Sequence, residues 1–309
     1  MLYGALEAGG TKMVCAIGNE NGEILEQVKF PTETPETTMP QIFEYFKGKD
    51  IKALGIACFG PIDLNEDSET YGSITTTPKL AWSGYNIVNA AKEALGIPVG
   101  FDTDVNGSLL GEITWGCAKG LSDAIYLTIG TGVGGGIIVN GKILSGSHGS
   151  GGEIGHIHMD DNETEKCGCG KCGCLEQYAS ATGIARLAKR KMEKDDRPSA
   201  MRDAKSLNAK VVFDAAKAGD EMAIEVTEEF GEILGKGLAN VADVINPELF
   251  VIGGGVSKAG QIVIDLIKKN YKKYVFHGSR GTDFALATLG NDAGIYGSAK
   301  LVLDGVKNS

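Results

Sequence analysis

The sequence of 309 residues lacks features that mark several other classes of protein. No apolar run approaches the roughly 20 residues that a membrane-spanning helix needs. Acidic residues outnumber basic ones by 40 to 30, which gives a net charge of -10. Because nucleic acids and anionic membranes attract basic surfaces, we expect neither as a partner. Residues 1–7 contain no basic stretch ahead of an apolar one, so we expect no signal peptide.

Cysteine is too unevenly placed for a secreted disulfide framework. The count is odd, seven, and four of the seven fall within residues 167–174. We therefore expect reduced thiols and a cytoplasmic location. Four thiols separated by glycines, with a histidine upstream, can place three or four ligands on one tetrahedral ion, which predicts a zinc site. The candidate ligands are His156, Cys167, Cys169, Cys172 and Cys174.

Hydrophobic patterning predicts an α/β protein with an internal duplication. Residues 2–30 and 124–144 each have the pattern of strand, glycine-rich turn, strand, turn and strand. A repeated unit of this kind suggests two similar α/β domains. The expected domains are a smaller one, 1–117 with a returning helix in 290–309, and a larger one, 118–289.

The larger domain has a mainly helical pattern after the cysteines. We expect one helix over 175–193, then a charged, exposed linker as far as Lys205. Further helices are expected over 209–218 and 221–242. A strand over 249–252 then leads into a glycine-rich turn.

Three glycine-rich turns each follow a predicted strand. Glycine lets the backbone approach a phosphate group without a Cβ in the way, and backbone N–H groups bind phosphate well. Any single turn has a tight hairpin as its alternative, but two turns at equivalent places in a duplicated unit favour nucleotide binding. The turns contain Gly9, Gly10, Thr11 and Lys12; Thr131, Gly132 and Gly134; and Gly253, Gly254 and Gly255.

Asp104 lies where a predicted strand gives way to a predicted helix. Ligands of α/β sheets usually bind at such carboxyl ends of strands. One role for this residue is a helix cap. The other is a general base that accepts the proton of a substrate hydroxyl as it attacks the γ-phosphate. The phosphate-binding turns favour the second role.

In this order, the motifs resemble those of the ROK family of sugar kinases and repressors, over almost the whole chain. The similar segments are 7–12 and 131–135 for the two phosphate motifs, 152–156 with 167–176 for the zinc and sugar signature, and 253–255 for the adenosine motif. The resemblance implies a duplicated actin-like, ribonuclease H-like ATPase fold, with two α/β lobes around a cleft. It also implies ATP, Mg²⁺, a structural Zn²⁺ and a homodimer.

The same resemblance implies roles for individual residues. Asp104 is expected to deprotonate a sugar hydroxyl, and Glu7, where many members have aspartate, to help hold Mg-ATP. The residues expected to contact the sugar are Asp104, Glu153, His156 and Glu176. Zinc is expected to order the loop without taking part in phosphoryl transfer, with the ligands His156, Cys167, Cys169 and Cys174. Cys172 is additional to the family pattern, so a four-thiolate site without His156 remains open.

Two positions bear on the identity of the sugar. Many glucokinase-type members have asparagine where this chain has Thr103 and Lys79. The resemblance therefore favours a fructokinase, an ATP:hexose 6-phosphotransferase, whereas the compact cysteine spacing keeps glucose, mannose and N-acetylated hexosamines open. A sugar-responsive repressor is less expected, because it needs a DNA-binding helix-turn-helix ahead of Glu7. A third alternative is an actin-like or chaperone-type ATPase, which shares the duplicated fold but does not explain the predicted zinc loop.

Overall fold

The computed structural model describes residues 1–77 and 79–307. Contacts divide the chain into two compact units. Unit 1 comprises Met1–Gly120, Ile143–Gly151 and Thr288–Ser309, and unit 2 comprises Leu121–Lys142 and Gly152–Ala287. Segment 143–151, which the sequence pattern places in the larger domain, thus groups with unit 1. In the described part of the chain, no helix has the length and apolar character needed to cross a membrane.

Unit 1 is built on one five-stranded sheet with helices packed against it. Its strands are β1 (Leu2–Ala8), β2 (Lys12–Asn19), β3 (Ile24–Pro31), β4 (Ile51–Cys58) and β5 (Val99–Thr103). Its helices are α1 (Pro35–Phe46), α2 (Ile87–Leu95), α3 (Asp104–Trp115) and a last helix, Ala293–Lys307. The strand order is β3-β2-β1-β4-β5. Strands β1, β4 and β5 run parallel, whereas β2 is antiparallel to both of its neighbours.

Close backbone packing holds the last helix of unit 1 against the sheet. A Cβ added to Gly55 of β4 would lie 1.6 Å from the carbonyl oxygen of Ser298, so only glycine fits there. The Ser298 hydroxyl is buried and donates its hydrogen to the carbonyl oxygen of Gly294 at 2.6 Å, with that of Leu6 also within reach at 3.2 Å. The final helix is therefore an integral layer of the N-terminal unit.

Unit 2 repeats this plan with more helices. Its sheet contains β6 (Ala124–Ile129), β7 (Val133–Val139), β8 (Lys142–Ile143), β9 (Leu249–Gly253) and β10 (Asp283–Leu286), with only the second residue of β8 grouped in unit 1. Its helices are α4 (Glu176–Ala179), α5 (Ala181–Lys194), α6 (Ala209–Lys217), α7 (Glu221–Ile245) and α8 (Gln261–Tyr274), so the last helix of unit 1 is α9. Short 3₁₀ turns occur in unit 1 at Leu80–Trp82 and Gly290–Asp292. In unit 2 they occur at Ile154–His156, Ala200–Asp203, Val256–Ala259 and His277–Ser279.

The second sheet confirms the predicted duplication. Its order, β10-β9-β6-β7-β8, reads from the opposite edge as β8-β7-β6-β9-β10, which matches β3-β2-β1-β4-β5 strand for strand. The hairpin β6–β7 is antiparallel and β6, β9 and β10 are parallel, as in unit 1. The first two glycine-rich turns therefore occupy equivalent positions, one between β1 and β2 and the other between β6 and β7.

In the larger domain one local prediction is wrong, one holds in part and one strand was missed. The expected helix over 175–193 is broken at Ser180, whose hydroxyl accepts the Gly183 N–H at 3.0 Å and starts α5 as an N-cap. The expected linker up to Lys205 is mostly exposed, as predicted, but it lies within unit 2 and carries a 3₁₀ turn whose Met201 is buried. Strand β10 was not predicted, because its four residues are too few to show a period.

Candidate functional site

Asp104 is the first residue of α3, and its neighbours hold that helix end in place. The Thr103 hydroxyl accepts the Asn106 N–H at 3.1 Å and caps the helix. Asp102 Oδ1 accepts hydrogen bonds from the Thr103 N–H and from Asn106 Nδ2, both at 2.7 Å. Burial raises the pKa of Asp104 to about 6. A carboxylate with that pKa is a stronger base than an ordinary aspartate.

Glu7 lies in β1, just before the first phosphate turn. Its Oε2 is buried and has no hydrogen-bond partner among the described residues. Burial, and then the negative charge of Asp104, raise the pKa of Glu7 to about 7, against an opposing effect of Lys12. A buried carboxylate oxygen without a partner suits a hard divalent cation such as Mg²⁺. Glu7 therefore fits the expected role of holding Mg-ATP.

The second phosphate turn, residues 130–133, is bound on one side by the segment 176–182 of unit 2. The carbonyl oxygen of Gly130 accepts the Ala181 N–H at 2.7 Å, and that of Thr131 accepts the Thr182 hydroxyl at 2.8 Å. The Val133 N–H donates to Glu176 Oε2 at 2.9 Å. Gly132 and Gly134 continue this turn into β7.

The third glycine turn packs against the end of β6. Gly254 has φ of +79°, and a Cβ on it would lie 2.5 Å from the backbone nitrogen of Ile129, so the close approach requires glycine. A pocket of about 390 Å³ opens beside Gly255. Its lining includes Ala181, Asn208, Lys210, Phe213, Val256 and Lys258. Its size and apolar walls suit a flat base such as adenine.

Four candidate metal ligands come together in unit 2. One ligand atom from each of His156, Cys167, Cys169 and Cys174 lies within 4.8 Å of the others. Three thiols and an imidazole nitrogen are a donor set that fits tetrahedral zinc. Cys172 lies outside this group, with its Sγ 3.7 Å from the Thr164 carbonyl oxygen. The geometry thus favours His156 over Cys172 as the fourth ligand.

The two ring nitrogens of His156 face different groups. Nδ1 lies 3.8 Å from Cys167 Sγ, whereas Nε2 lies 3.9 Å from Glu153 Oε2. Glu153 is exposed, with 63% of its side-chain surface accessible. An ion bound by Nδ1 would fix the orientation of the ring and leave Nε2 free to meet a ligand beside Glu153.

An ion-pair network that the sequence pattern does not indicate anchors the candidate zinc loop. The Glu163 side chain is 2% exposed and accepts hydrogen bonds from Arg190, Arg186 and the Tyr178 hydroxyl. Arg190 is the main cause of the lowered pKa of Glu163, about 2. Gln177 adds a bond from the Cys174 N–H to its Oε1. No local spacing signals this network, because its members come from separate segments.

Three further polar residues were missed in unit 1. Asn106 and Asp102 follow an Asp-x-Asp-x-Asn spacing around Asp104, which could have indicated a supporting pair. Glu112 is fully buried and accepts hydrogen bonds from residues 117, 288 and 289. Its partners lie up to 177 residues away, so no sequence signal was present.

Comparison with known proteins gives consistent matches over nearly the whole chain. A model of the ROK family matches residues 3–305. The chain is 36% identical to a glucokinase of Halalkalibacterium halodurans, over 97% of this chain and 94% of that protein. It is also 36% identical to a fructokinase of Lactococcus lactis subsp. cremoris, over 87% of this chain and 83% of that protein.

A solved structure shares the fold. A ROK family glucokinase from Streptomyces griseus, in complex with glucose and AMPPNP, is 31% identical and has a TM-score of 0.79. The match covers 97% of this chain and 99% of that one. The predicted actin-like α/β fold is confirmed by this likeness together with the two five-stranded sheets. On the family match, the sequence identities and the shared fold, this chain belongs to the ROK family.

Proposed function

We propose that the protein is an ATP-dependent hexose kinase that phosphorylates the 6-hydroxyl of its sugar, with D-fructose favoured. The reaction would be ATP and D-fructose to ADP and D-fructose 6-phosphate. The observation that carries the proposal is Asp104, a carboxylate of raised pKa held at a helix end by Asp102, Thr103 and Asn106. The glucokinase and fructokinase names of the relatives support a sugar kinase.

Asp104 would accept the proton of the 6-hydroxyl as its oxygen attacks the γ-phosphorus. Phosphoryl transfer depends mainly on alignment and on stabilising charge, so a well-oriented base and fixed phosphate donors are the contributions expected of the protein. The turns around Gly10 and Gly132 would offer backbone N–H groups to the phosphates. When bound, Mg²⁺ would neutralise phosphate charge, with Glu7 helping to hold it.

The sugar would be bound by Glu153, His156 and Glu176. Zinc, when bound, would hold His156 and the loop in one conformation. Charged carboxylates recognise hydroxyl groups well because each oxygen accepts hydrogen bonds. The role of zinc in this proposal is therefore to orient sugar ligands, while proton transfer belongs to Asp104.

Two residues support fructose as the favoured sugar. Thr103 has no side-chain amide to offer a sugar, and its hydroxyl oxygen is engaged in capping α3. Lys79 reaches the first phosphate turn, where its Cε lies 3.5 Å from the position of a Cβ on Gly10. Both residues replace the asparagines expected of glucokinase-type members, and glucose, mannose and N-acetylated hexosamines are the alternatives.

A panel of hexoses assayed with Mg-ATP tests this proposal. We expect sugar-dependent ADP formation, with kcat/KM for fructose at least about tenfold above that for the other hexoses. The position of phosphorylation can be read with glucose-6-phosphate dehydrogenase. Product from fructose should reduce NADP only when phosphoglucose isomerase is added, whereas a fructose 1-phosphate product would give no signal. A preference for another hexose would overturn the fructose assignment, and sugar-independent ADP formation would overturn the kinase assignment.

A further inference from the structure

The segment that follows the zinc ligands makes three hydrogen bonds to the second phosphate turn. Residues 176–182 begin two positions after Cys174, and they contact Gly130, Thr131 and Val133 through Ala181, Thr182 and Glu176. These contacts lie within unit 2. The chain that binds metal at one end therefore holds a nucleotide-binding turn at the other.

The bonds set the direction of the peptide groups in the turn. In a trans peptide the C=O and the following N–H point in opposite directions. Because the carbonyl oxygens of Gly130 and Thr131 are directed at the segment 176–182, the N–H groups of Thr131 and Gly132 are directed away from it. Those N–H groups are the donors that a phosphate would use.

Glu176 connects this turn to the metal ligands. Its Oε2 accepts the Val133 N–H at 2.9 Å, and its Oε1 lies 3.5 Å from Cys167 Sγ. A Cβ on Gly132 would lie 2.4 Å from Glu176 Oε2, so the turn closes tightly on the carboxylate. Because this carboxylate lies between the sulfur of a proposed zinc ligand and a backbone amide of the turn, a displacement of either group would move it.

We infer that Glu176 is a positioning residue for the nucleotide, through which the metal-bound loop holds the phosphate turn 130–133 ready for ATP before any sugar binds. The inference rests on the proposed kinase function and adds to it a coupling between metal occupancy and nucleotide affinity. A carboxylate that served the sugar alone would not affect nucleotide binding in the absence of sugar.

The test is the dissociation constant of Mg-AMPPNP, measured by calorimetry without sugar. Glu176→Ala should weaken binding about tenfold, the effect of losing one charge-assisted hydrogen bond. Glu221→Ala, at a side chain of α7 that is 84% exposed, is the matched control, and its affinity for Mg-AMPPNP should stay within about twofold of wild type. Equal weakening in both variants, or none in Glu176→Ala, would overturn the inference.

A second pair of variants avoids the carboxylate. Thr182→Val removes the hydroxyl that bonds the Thr131 carbonyl oxygen and should weaken AMPPNP binding about threefold to tenfold, whereas Thr182→Ser keeps the hydroxyl and should restore it. Removing zinc from the wild type should weaken AMPPNP binding about as much as Glu176→Ala does. Removing zinc from Glu176→Ala should weaken it little further. Unchanged affinity after zinc removal, with circular dichroism showing a folded protein, would refute the coupling. A wild type that does not bind AMPPNP would refute the kinase proposal itself.

Discussion

Asp104 and Glu7 are two carboxyl groups that the fold makes costly to ionise. Burial raises their pKa values to about 6 and about 7, and the negative charge of Asp104 contributes to the shift of Glu7. Each group then binds its proton more tightly in the folded than in the unfolded protein. Its stabilising contribution is complete below about pH 4 and is lost as the pH rises through 6 to 7. The site is thus less stable in the ionised state that the proposed reaction requires.

Replacing Asp104 tests the proposed base directly. Asp104→Asn keeps the size of the side chain but cannot accept a proton, so we expect kcat to fall about 10²- to 10⁴-fold. Thermal unfolding should show a folded protein. The exposed Asp67, changed to Asn, is the control and should leave kcat unchanged. Near-normal turnover in Asp104→Asn would rule out this assignment.

The raised pKa values also predict a dependence of activity on pH. Because the base must be ionised to accept a proton, kcat/KM should decline as the pH is lowered through about 7 to 6. The apparent pKa values belong to the pair and not to either residue. A profile of kcat/KM from pH 5 to 9 at saturating Mg²⁺ checks this. A flat profile down to pH 5 would contradict it.

Measurements of bound metal can distinguish the two possible sets of zinc ligands, one with His156 and one with Cys172. Cys172→Ser should still bind one zinc per chain, because its sulfur lies apart from the other ligand atoms. His156→Ala and Cys169→Ser should each weaken zinc binding by about 100-fold or more. Zinc content after dialysis against a competing chelator distinguishes them. Retention in His156→Ala together with loss in Cys172→Ser would instead indicate a four-thiolate site.

At the scale of secondary-structure elements, Glu112 joins α3 to the segment that enters α9. Its Oε1 accepts the backbone N–H groups of Thr288 and Leu289, and its Oε2 accepts the Cys117 N–H and the Thr288 hydroxyl. The chain passes between the two units beside both of these segments, at 120–121 and at 287–288. One buried carboxylate therefore accepts hydrogen bonds from four donors, close in sequence to two of the points where the chain passes from one unit to the other.

Glu112→Gln should lower the free energy of unfolding by about 3 kcal/mol. The amide keeps the shape, but its NH₂ group faces donors and leaves at least one of them buried and unsatisfied. Urea denaturation measures the change. Glu44→Gln, at a side chain 79% exposed on α1, is the matched control and should change stability by less than about 0.5 kcal/mol. Equal effects in the two variants would show that the four bonds to Glu112 contribute little.

The sequence predicted the elements whose signals are local. The period of apolar residues indicated β1, β2 and β6, and the glycines indicated the turns after them, because a turn and its flanking strands are adjacent in the chain. The break at Ser180 was missed because α4 and α5 together keep a helical period. Glu112 and Glu163 were missed because their partners lie on distant segments, and only the fold brings a carboxylate to its donors.

At the scale of the whole molecule, each unit has its own apolar core. Leu6, Ile56 and Trp82 belong to the core of unit 1, and Leu175, Tyr178 and Phe250 to that of unit 2. Leu175 directly follows the candidate zinc ligand Cys174. Loss of a bound metal would therefore disturb the packing of unit 2 before that of unit 1.

Hydrogen exchange with and without a zinc chelator tests this difference between the units. Amides of α4, α5 and β6 should lose protection when zinc is removed, because Leu175 and Tyr178 pack in the core that these elements share. Amides of β1, β4 and β5 in unit 1 should keep theirs. Equal loss of protection in both sheets would show that the metal stabilises the molecule as a whole.

Helix α9 has a consequence for how the protein is made. The ribosome synthesises most of unit 1 first, yet Gly55 and Leu6 of its sheet pack against Ser298, which is synthesised only after the whole of unit 2. The residues of unit 2, by contrast, are all synthesised before α9 begins. The N-terminal part of the nascent chain thus leaves one face of its sheet uncovered until α9 has been synthesised. Chaperones that bind exposed apolar surface would meet that face during synthesis.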